Sequence, residues 1–217
     1  MLMNTIGFDP VQFTFRQKLL YLLRLVPFVE RNYNMIELGP RETGKTYTYR
    51  NTSPRSFVIS GGSTTPATLF YHKGIKRLGI IGQKDVVYFD EIGRTRFADA
   101  DATVNILKDY MQTGQFTRGD QEFTSTASIV LAGNIEIDTE NEISRPSERY
   151  SHWLAVLPSE INTDTAFIDR LHAYVPGWEF SKIKKDKYAK GFGFMTDYFA
   201  EILKRLREGA IQTIVAA

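Results

Sequence analysis

The sequence predicts an α/β domain: a parallel sheet covered by helices on both faces. Three observations carry this. The stretch Gly39-Pro-Arg-Glu-Thr-Gly-Lys-Thr46 reads G-x-x-x-x-G-K-T and directly follows the apolar-rich run Tyr33-Asn-Met-Ile-Glu-Leu38. That order is strand, glycine-bounded loop, helix. Asp85-Val-Val-Tyr-Phe-Asp-Glu91 sets four apolar residues ahead of two acids, the pattern of a buried parallel strand whose C-terminal end meets a ligand. Strand-like and helix-like segments then alternate along the chain, as a parallel sheet with crossover helices requires.

Composition sets the outer bounds. At 217 residues there is room for one good-sized domain, or one with a small appendage. The chain has no cysteine, which excludes disulfides, thiolate zinc sites and a cysteine nucleophile together. A formal net charge of +2 excludes a chain-wide basic footprint for nucleic acid but not a local one. Met1 to Val11 lacks the pattern of a signal peptide. The apolar run Leu19 to Val29 is interrupted by Arg24 and Pro27 and is too short to span a bilayer. The expectation is a cytoplasmic protein with no membrane partner.

Taken in order, Thr14 to Arg31 reads as an amphipathic helix capped by Thr14, with Phe15, Leu19, Leu22, Leu23 and Val26 on its inner face. Pro27 is expected to kink or end it. A strand over Asn34–Leu38 leads into the glycine loop, and a helix runs from Gly44 to Arg50. Phe57–Ser60 is a short strand ended by Gly61-Gly62. A helix is expected from Pro66 to Lys73, and Gly79–Ile81 as strand or loop anchor. After the acidic strand comes a helix over Thr103–Gln112, stopped by Gly114. Gln115–Thr124 reads as a hairpin turning at Gly119-Asp120. Ser128–Ala132 is a second buried strand, followed at once by Gly133-Asn134. Residues 135–150 lack periodicity and read as loop. His152–Leu157 reads as strand or buried loop, Thr163–Leu171 as helix, and His172–Val175 as the last strand. Phe192–Arg207 closes as a helix with Phe194, Tyr198, Ile202 and Leu206 on one face.

The chemistry gathers at the strand ends. Gly39 and Gly44 allow close turns, and the amide N–H groups of the loop can cradle an anion with the dipole of the following helix. Lys45 can reach the β- and γ-phosphates of a nucleotide, and Thr46 can offer its hydroxyl to Mg²⁺. Asp90, at the end of its strand, is a second Mg²⁺ contact. Glu91 can accept a proton from an attacking water, so the pair implies hydrolysis rather than binding alone. Asn134 leaves a neighbouring strand at the same sheet edge and can orient that water, although an asparagine after glycine is also a common turn residue. Arg170, in Phe167-Ile-Asp-Arg-Leu171, can stabilise transition-state charge at a neighbouring subunit's phosphates. Its bland alternative is an intrachain pair with Asp169 or Asp164.

These four pieces, in this order, resemble the AAA+ ATPases: a Walker A motif at Gly39–Thr46, a Walker B motif at Val86–Glu91, sensor 1 at Asn134 and an arginine finger at Arg170. The hairpin Gln115–Thr124 resembles the pre-sensor-1 hairpin of the helicase-like branch, which makes Arg118 a candidate pore or DNA contact. The runs Asn32–Arg41, Ile59–Gly62, Ile106–Met111 and Phe167–Trp178 are similar to the Lon-related ATPases of BREX phage-defence systems, the BrxL family, from about residue 12 to 207. The resemblance implies ATP and Mg²⁺ as cofactors. It implies a loop of Gly39, Pro40, Arg41, Glu42, Thr43, Gly44, Lys45, Thr46 and Tyr47 around the nucleotide. It further implies a homo-oligomeric ring, expected as a hexamer, acting on double-stranded DNA alongside other phage-defence proteins.

The expected division is an N-terminal helix over 1–31, an AAA+ core over 32–178 and a truncated helical lid over 179–217. The family's N-terminal region and C-terminal Lon-protease-like domain find no counterpart in the chain, and no peptidase dyad can be placed. A sensor 2 arginine is expected to be missing. Glu42 stands where the family usually has glycine, close enough to repel phosphate unless Arg41 offsets it. Two other functions stay open: a Lon-type protein-remodelling motor, for which no threading loop matches clearly, and a nucleotide-gated scaffold with little turnover. A small-molecule kinase fits Asp90-Glu91 and Asn134 poorly.

Overall fold

The computed structural model describes residues 1–140 and 143–209. Five strands form one parallel sheet: β1 (Met35–Gly39), β2 (Ser56–Thr64), β3 (Val86–Phe97), β4 (Ser128–Asn134) and β5 (Ala173–Pro176), in the order β5-β1-β4-β3-β2. Three strands lie between the edges, and over Met35–Leu38, Val86–Phe89 and Ile129–Ala132 their residues are buried and, Glu37 apart, apolar, because both faces are covered there. The strand period of two sorts them. Ile36, Leu38, Val87, Phe89, Ile129 and Leu131 enter one core, while Met35, Val86, Tyr88, Val130 and Ala132 enter the other. Glu37 alternates onto the second face with Met35, and it is wholly buried there.

The first core is closed by α4 (Ala100–Thr113) through Val104, Leu107, Tyr110 and Met111. The second is closed by α1 (Phe15–Leu23), α2 (Val26–Val29), α3 (Lys45–Asn51) and α5 (Thr196–Glu208). Gly114 ends α4 with φ +73°, as expected of a helix-stopping glycine.

Thr14 caps α1 as expected. Its hydroxyl accepts from the Gln17 amide at 3.2 Å, and the Gln17 side chain accepts from the Thr14 amide at 3.1 Å. The inner face differs from the expectation. Phe15 and Leu19 are 76% and 50% exposed, whereas Leu20, Tyr21, Arg24, Leu25 and Phe28 are buried. The helix is rotated to bury a charged residue, Arg24, against Glu37, and apolar periodicity cannot register that. Pro27 begins a separate helix: it sits in the first turn of α2, where its missing N–H has no partner to lose.

The same error of phase recurs in α5. Tyr198 is exposed, and the buried residues are Phe199, Ala200, Leu203 and Arg207. Arg207 donates to the carbonyls of Pro27 (2.6 Å), Glu30 (2.7 Å) and Thr126. These carbonyls lie near the entry end of β4, so the C-terminal end of α5 packs at the opposite end of the sheet from the glycine loop.

Other elements depart locally. β2 continues through Gly61-Gly62, both at positive φ, as a bulge. The helix after Pro66 ends at Leu69, and Tyr71–His72 instead pairs with Arg77–Leu78 as a hairpin. Ile80–Gly82 is a 3₁₀ turn. Ile137–Glu140 and Ile143–Pro146 form an antiparallel pair where loop was expected. Trp153–Val156 is a 3₁₀ turn, the helix expected over 163–171 is reduced to Thr165–Ile168, and a separate short helix, Ser159–Asn162, precedes it. The hairpin of Gln115–Arg118 with Gln121–Thr124 is present as predicted. Among the described residues no helix is long and apolar enough to cross a membrane.

Candidate nucleotide-binding site

The register puts the site at one sheet edge. Gly39, the last residue of β1, is paired with Asn134, the last of β4. Gly39 is required by a close approach: a Cβ there would sit 2.3 Å from the carbonyl carbon of Gly177, just past β5. Beyond it, Glu42 (φ +67°) and Gly44 (φ +77°) both take left-handed backbone, and such residues among right-handed ones curl the amides around a concavity. α3 then starts at Lys45.

Glu42, the unexplained residue of the sequence, has its carboxylate turned outward to Lys182 at 3.4 Å. Its carbonyl accepts from the Ile183 amide at 2.9 Å. The offsetting cation is therefore Lys182, not Arg41.

Lys45 is buried and its ammonium donates to the carbonyls of Gly39 (2.9 Å) and Pro40 (2.7 Å). Burial pulls its pKa down to about 8, while the nearby Glu37 and Asp90 carboxylates act the other way and Arg24 adds to the depression. The Thr46 hydroxyl donates to Asp90 Oδ2 at 2.8 Å, and Asp90 Oδ1 accepts from the Glu91 amide at 3.0 Å. Thr46 and Asp90 thus present two hard oxygen ligands side by side, suited to a Mg²⁺ that keeps water and phosphate as its remaining ligands.

Glu91 follows at φ +50°. Here the β2–β3 register breaks: Ser60 pairs with Asp90 and Gly62 with Thr95. β3 therefore spends extra residues between these pairs, and this protrusion carries Glu91 and Arg94 to the pocket. Their side chains meet at 3.2 Å. The pocket holds about 530 Å³ and is lined by Arg41 to Tyr47, Asp90, Glu91, Arg94 and Asn134, within the range of small-molecule sites. Of the predicted residues, Lys45, Thr46, Asp90, Glu91 and Asn134 are brought together.

Arg170 is not brought there. It lies outside this pocket, half-buried, with one guanidinium nitrogen donating to the Ala166 carbonyl. Asp164, one of its alternative partners, is taken by Lys108 at 2.7 Å. Among the described residues Arg170 forms no ion pair.

Sequence reasoning missed two parts. A second cavity of about 480 Å³ lies beside Gly44, lined by Gly7, Phe8, Glu42, Gly44, Tyr47, Ile183 and Tyr188. Its aromatic and aliphatic walls come from both ends of the chain, and no motif joins them. The other part is the pair of Arg24 and Glu37, buried beneath the loop. Its signal was present: one acid inside an otherwise apolar strand demands a partner.

The family described as "Lon-like protease BrxL-like, ATPase domain" matches residues 1–217. The chain belongs to this BrxL ATPase-domain family. Lon-like protease BrxL of Escherichia coli O9:H4 (strain HS) is 42% identical over 207 residues, covering 95% of this chain and 29% of its own length. The Bacillus cereus (strain H3081.97) protein of the same name is also 42% identical, over 95% of this chain and 30% of its own. The chain thus spans less than a third of the curated relatives it matches. A solved structure of an ATPase candidate from Cytophaga hutchinsonii is similar with a TM-score of 0.50 at 13% identity, covering 89% of this chain and 57% of that one, which speaks to the fold. As a BrxL-type ATPase domain the chain carries a P-loop α/β core of AAA+ type, built to bind nucleotide.

Proposed function

We propose that this BrxL-type domain binds MgATP between subunits of a ring and hydrolyses it to drive work on double-stranded DNA in phage defence, in the cytoplasm. The observation that carries the hydrolytic reading is the Thr46–Asp90 contact at 2.8 Å, with Lys45 on one side and Glu91 on the other. Lys45 exchanges its two loop carbonyls for β- and γ-phosphate oxygens. Thr46 and Asp90 would hold Mg²⁺, which supplies positive charge against the phosphate oxygens when bound. Glu91 polarises water, Asn134 orients it, and Arg170 serves a neighbouring subunit's site. The aromatic cavity of Phe8, Tyr47 and Tyr188 is suited to the base.

DNA is favoured over an unfolded protein by local charge. The turn between Tyr71–His72 and Arg77–Leu78 carries Lys73 and Lys76, and Arg77 follows it at once. Lys73 Nζ lies 3.2 Å from where a Cβ on Gly119 would be. That brings the turn beside Arg118 and makes a concentrated patch for phosphate contacts. A second reading, a nucleotide-gated scaffold with little turnover, is favoured by the Glu91–Arg94 ion pair, since it occupies the carboxylate that would have to meet the water.

ATP turnover with and without double-stranded DNA, in wild type and Glu91→Gln, separates these. DNA-stimulated turnover abolished by the variant is the expected result. Nucleotide binding and ring formation with a non-hydrolysable analogue, but no turnover in either protein, would leave the scaffold.

A further inference from the structure

Arg24 and Glu37 have no solvent exposure, and no step above uses them. The guanidinium forms a two-pronged pair with the carboxylate: Nε to Oε2 at 2.9 Å and Nη2 to Oε1 at 2.5 Å. Its flat face lies over Phe180 at 4.0 Å and Tyr21 at 4.8 Å from the ring centres. Burial works against the charge on Arg24, and the Glu37 carboxylate offsets it and holds the pKa above its ordinary value. A third prong is left over. Nη1 donates to the Thr43 carbonyl at 3.0 Å.

That last bond bears on the glycine loop through peptide geometry. The peptide between Thr43 and Gly44 is planar and trans, so its carbonyl and its N–H point in opposite directions. Arg24 lies in the buried layer beneath the loop, while Thr43 and Gly44 line the pocket above it. Holding the Thr43 oxygen down therefore turns the Gly44 N–H up into the cradle. Left free, this peptide could rotate and present its carbonyl oxygen to the phosphates instead.

We propose that Arg24 is a positioning residue for nucleotide binding, aiming the Gly44 amide at the phosphates, with Glu37 fixing the guanidinium that does so. This rests on the nucleotide-binding reading of the site. It does not follow from stability, because a buried ion pair can be replaced by apolar side chains of similar volume without loss. That fact supplies the test. Arg24→Met with Glu37→Leu removes both charges together and keeps the core filled, whereas either change alone strands a buried charge.

The measurement is MgATP binding by calorimetry on the 217-residue chain, with thermal unfolding in the absence of nucleotide as the companion. A positioning role predicts that the double variant recovers the unfolding temperature lost by Arg24→Met alone but binds MgATP roughly tenfold more weakly than wild type, the worth of about one hydrogen bond. In turnover, KM carries the loss rather than kcat. A structural role alone predicts that affinity returns together with stability, and that result overturns the proposal. Should the double variant not fold, Arg24→Lys decides. Its single ammonium can hold Glu37 but cannot also span to Thr43, so a folded Arg24→Lys chain with wild-type affinity overturns the proposal and a roughly tenfold loss upholds it. A wild-type chain that does not bind MgATP overturns both this inference and the reading it rests on.

Discussion

Replacing Gly39 with alanine tests whether the loop is set by backbone contact. The added methyl would meet the carbonyl carbon, Cα and oxygen of Gly177 at 2.3, 2.5 and 2.6 Å, against the 3.4 Å at which ordinary contact begins. None of these is a side-chain atom that can swing away. The backbones of β1 and the turn after β5 would have to part by about 1 Å, a fifth of the usual strand spacing. The neighbouring Leu38–Pro176 pairing would open with them. Overpacking costs about 1–3 kcal/mol, and a site without rotamer escape belongs at about 3. For a chain of this size that lowers the unfolding temperature by about 6–12 °C. The control is Gly133→Ala in the adjacent strand. Its methyl meets Leu38 Cδ2 at 2.7 Å, but that atom ends a flexible side chain, so about 1 kcal/mol is expected. Thermal unfolding of both variants by circular dichroism suffices. If Gly39→Ala loses no more than Gly133→Ala, the contact with Gly177 does not hold the loop and the reasoning is wrong.

Four further outcomes are expected. The folded chain holds Lys45 at about 8, below its ordinary 10.5. The penalty on its charged form is therefore present below about pH 8 and relieved as pH rises towards 10.5. Wild-type stability without nucleotide should rise across that window relative to Lys45→Met, at no more than ~1.4 kcal/mol per pH unit, read from denaturant unfolding. MgATP binding at pH 8.5 should take up protons, seen by calorimetry in buffers of different ionisation enthalpy. Glu42→Gly relieves a left-handed backbone worth about 1 kcal/mol but adds comparable unfolded-chain entropy and loses an exposed pair. Its unfolding midpoint should stay within about 1 kcal/mol of wild type. Arg207→Met leaves the carbonyls of Pro27, Glu30 and Thr126 without their donor and should cost about 3 kcal/mol or more in the same assay.

What the sequence made legible follows from the kind of interaction involved. β1, β3 and β4 could be read because a strand covered on both faces must be apolar throughout, and Thr14 could be read because a cap is a local bond. Lys45, Thr46 and Asn134 converge because each stands at the end of such a strand or in the loop it feeds. Asp90 and Glu91 were expected at a strand end, but β3 runs on to Phe97; they reach the site because pairing with β4 stops at Phe89 and the register with β2 breaks after Asp90. The helix faces of α1 and α5 were misread for one reason. Each buries an arginine, satisfied by Glu37 in one case and by backbone carbonyls in the other, and apolar periodicity assigns arginine to the solvent side. The pair of strands within 137–146 was hidden because its residues are mostly polar and its pairing is through backbone. Glu91 offered no sign of its left-handed backbone, which arises from the β2–β3 mismatch across two distant segments.

The stretch from Gly177 to Ile183 touches the glycine loop at Gly39, Glu42 and Gly44. Gly177 abuts Gly39, Phe180 stacks on the arginine that holds Thr43, Lys182 pairs with Glu42, and Ile183 bonds the Glu42 carbonyl and packs beside Gly44. The loop's shape is thus written twice, once in its own eight residues and once in a mould more than 130 positions away. Grafting a foreign loop of the same motif into this chain would import only half of the instructions. Conversely, a change confined to the mould can detune nucleotide binding without altering any residue of the motif.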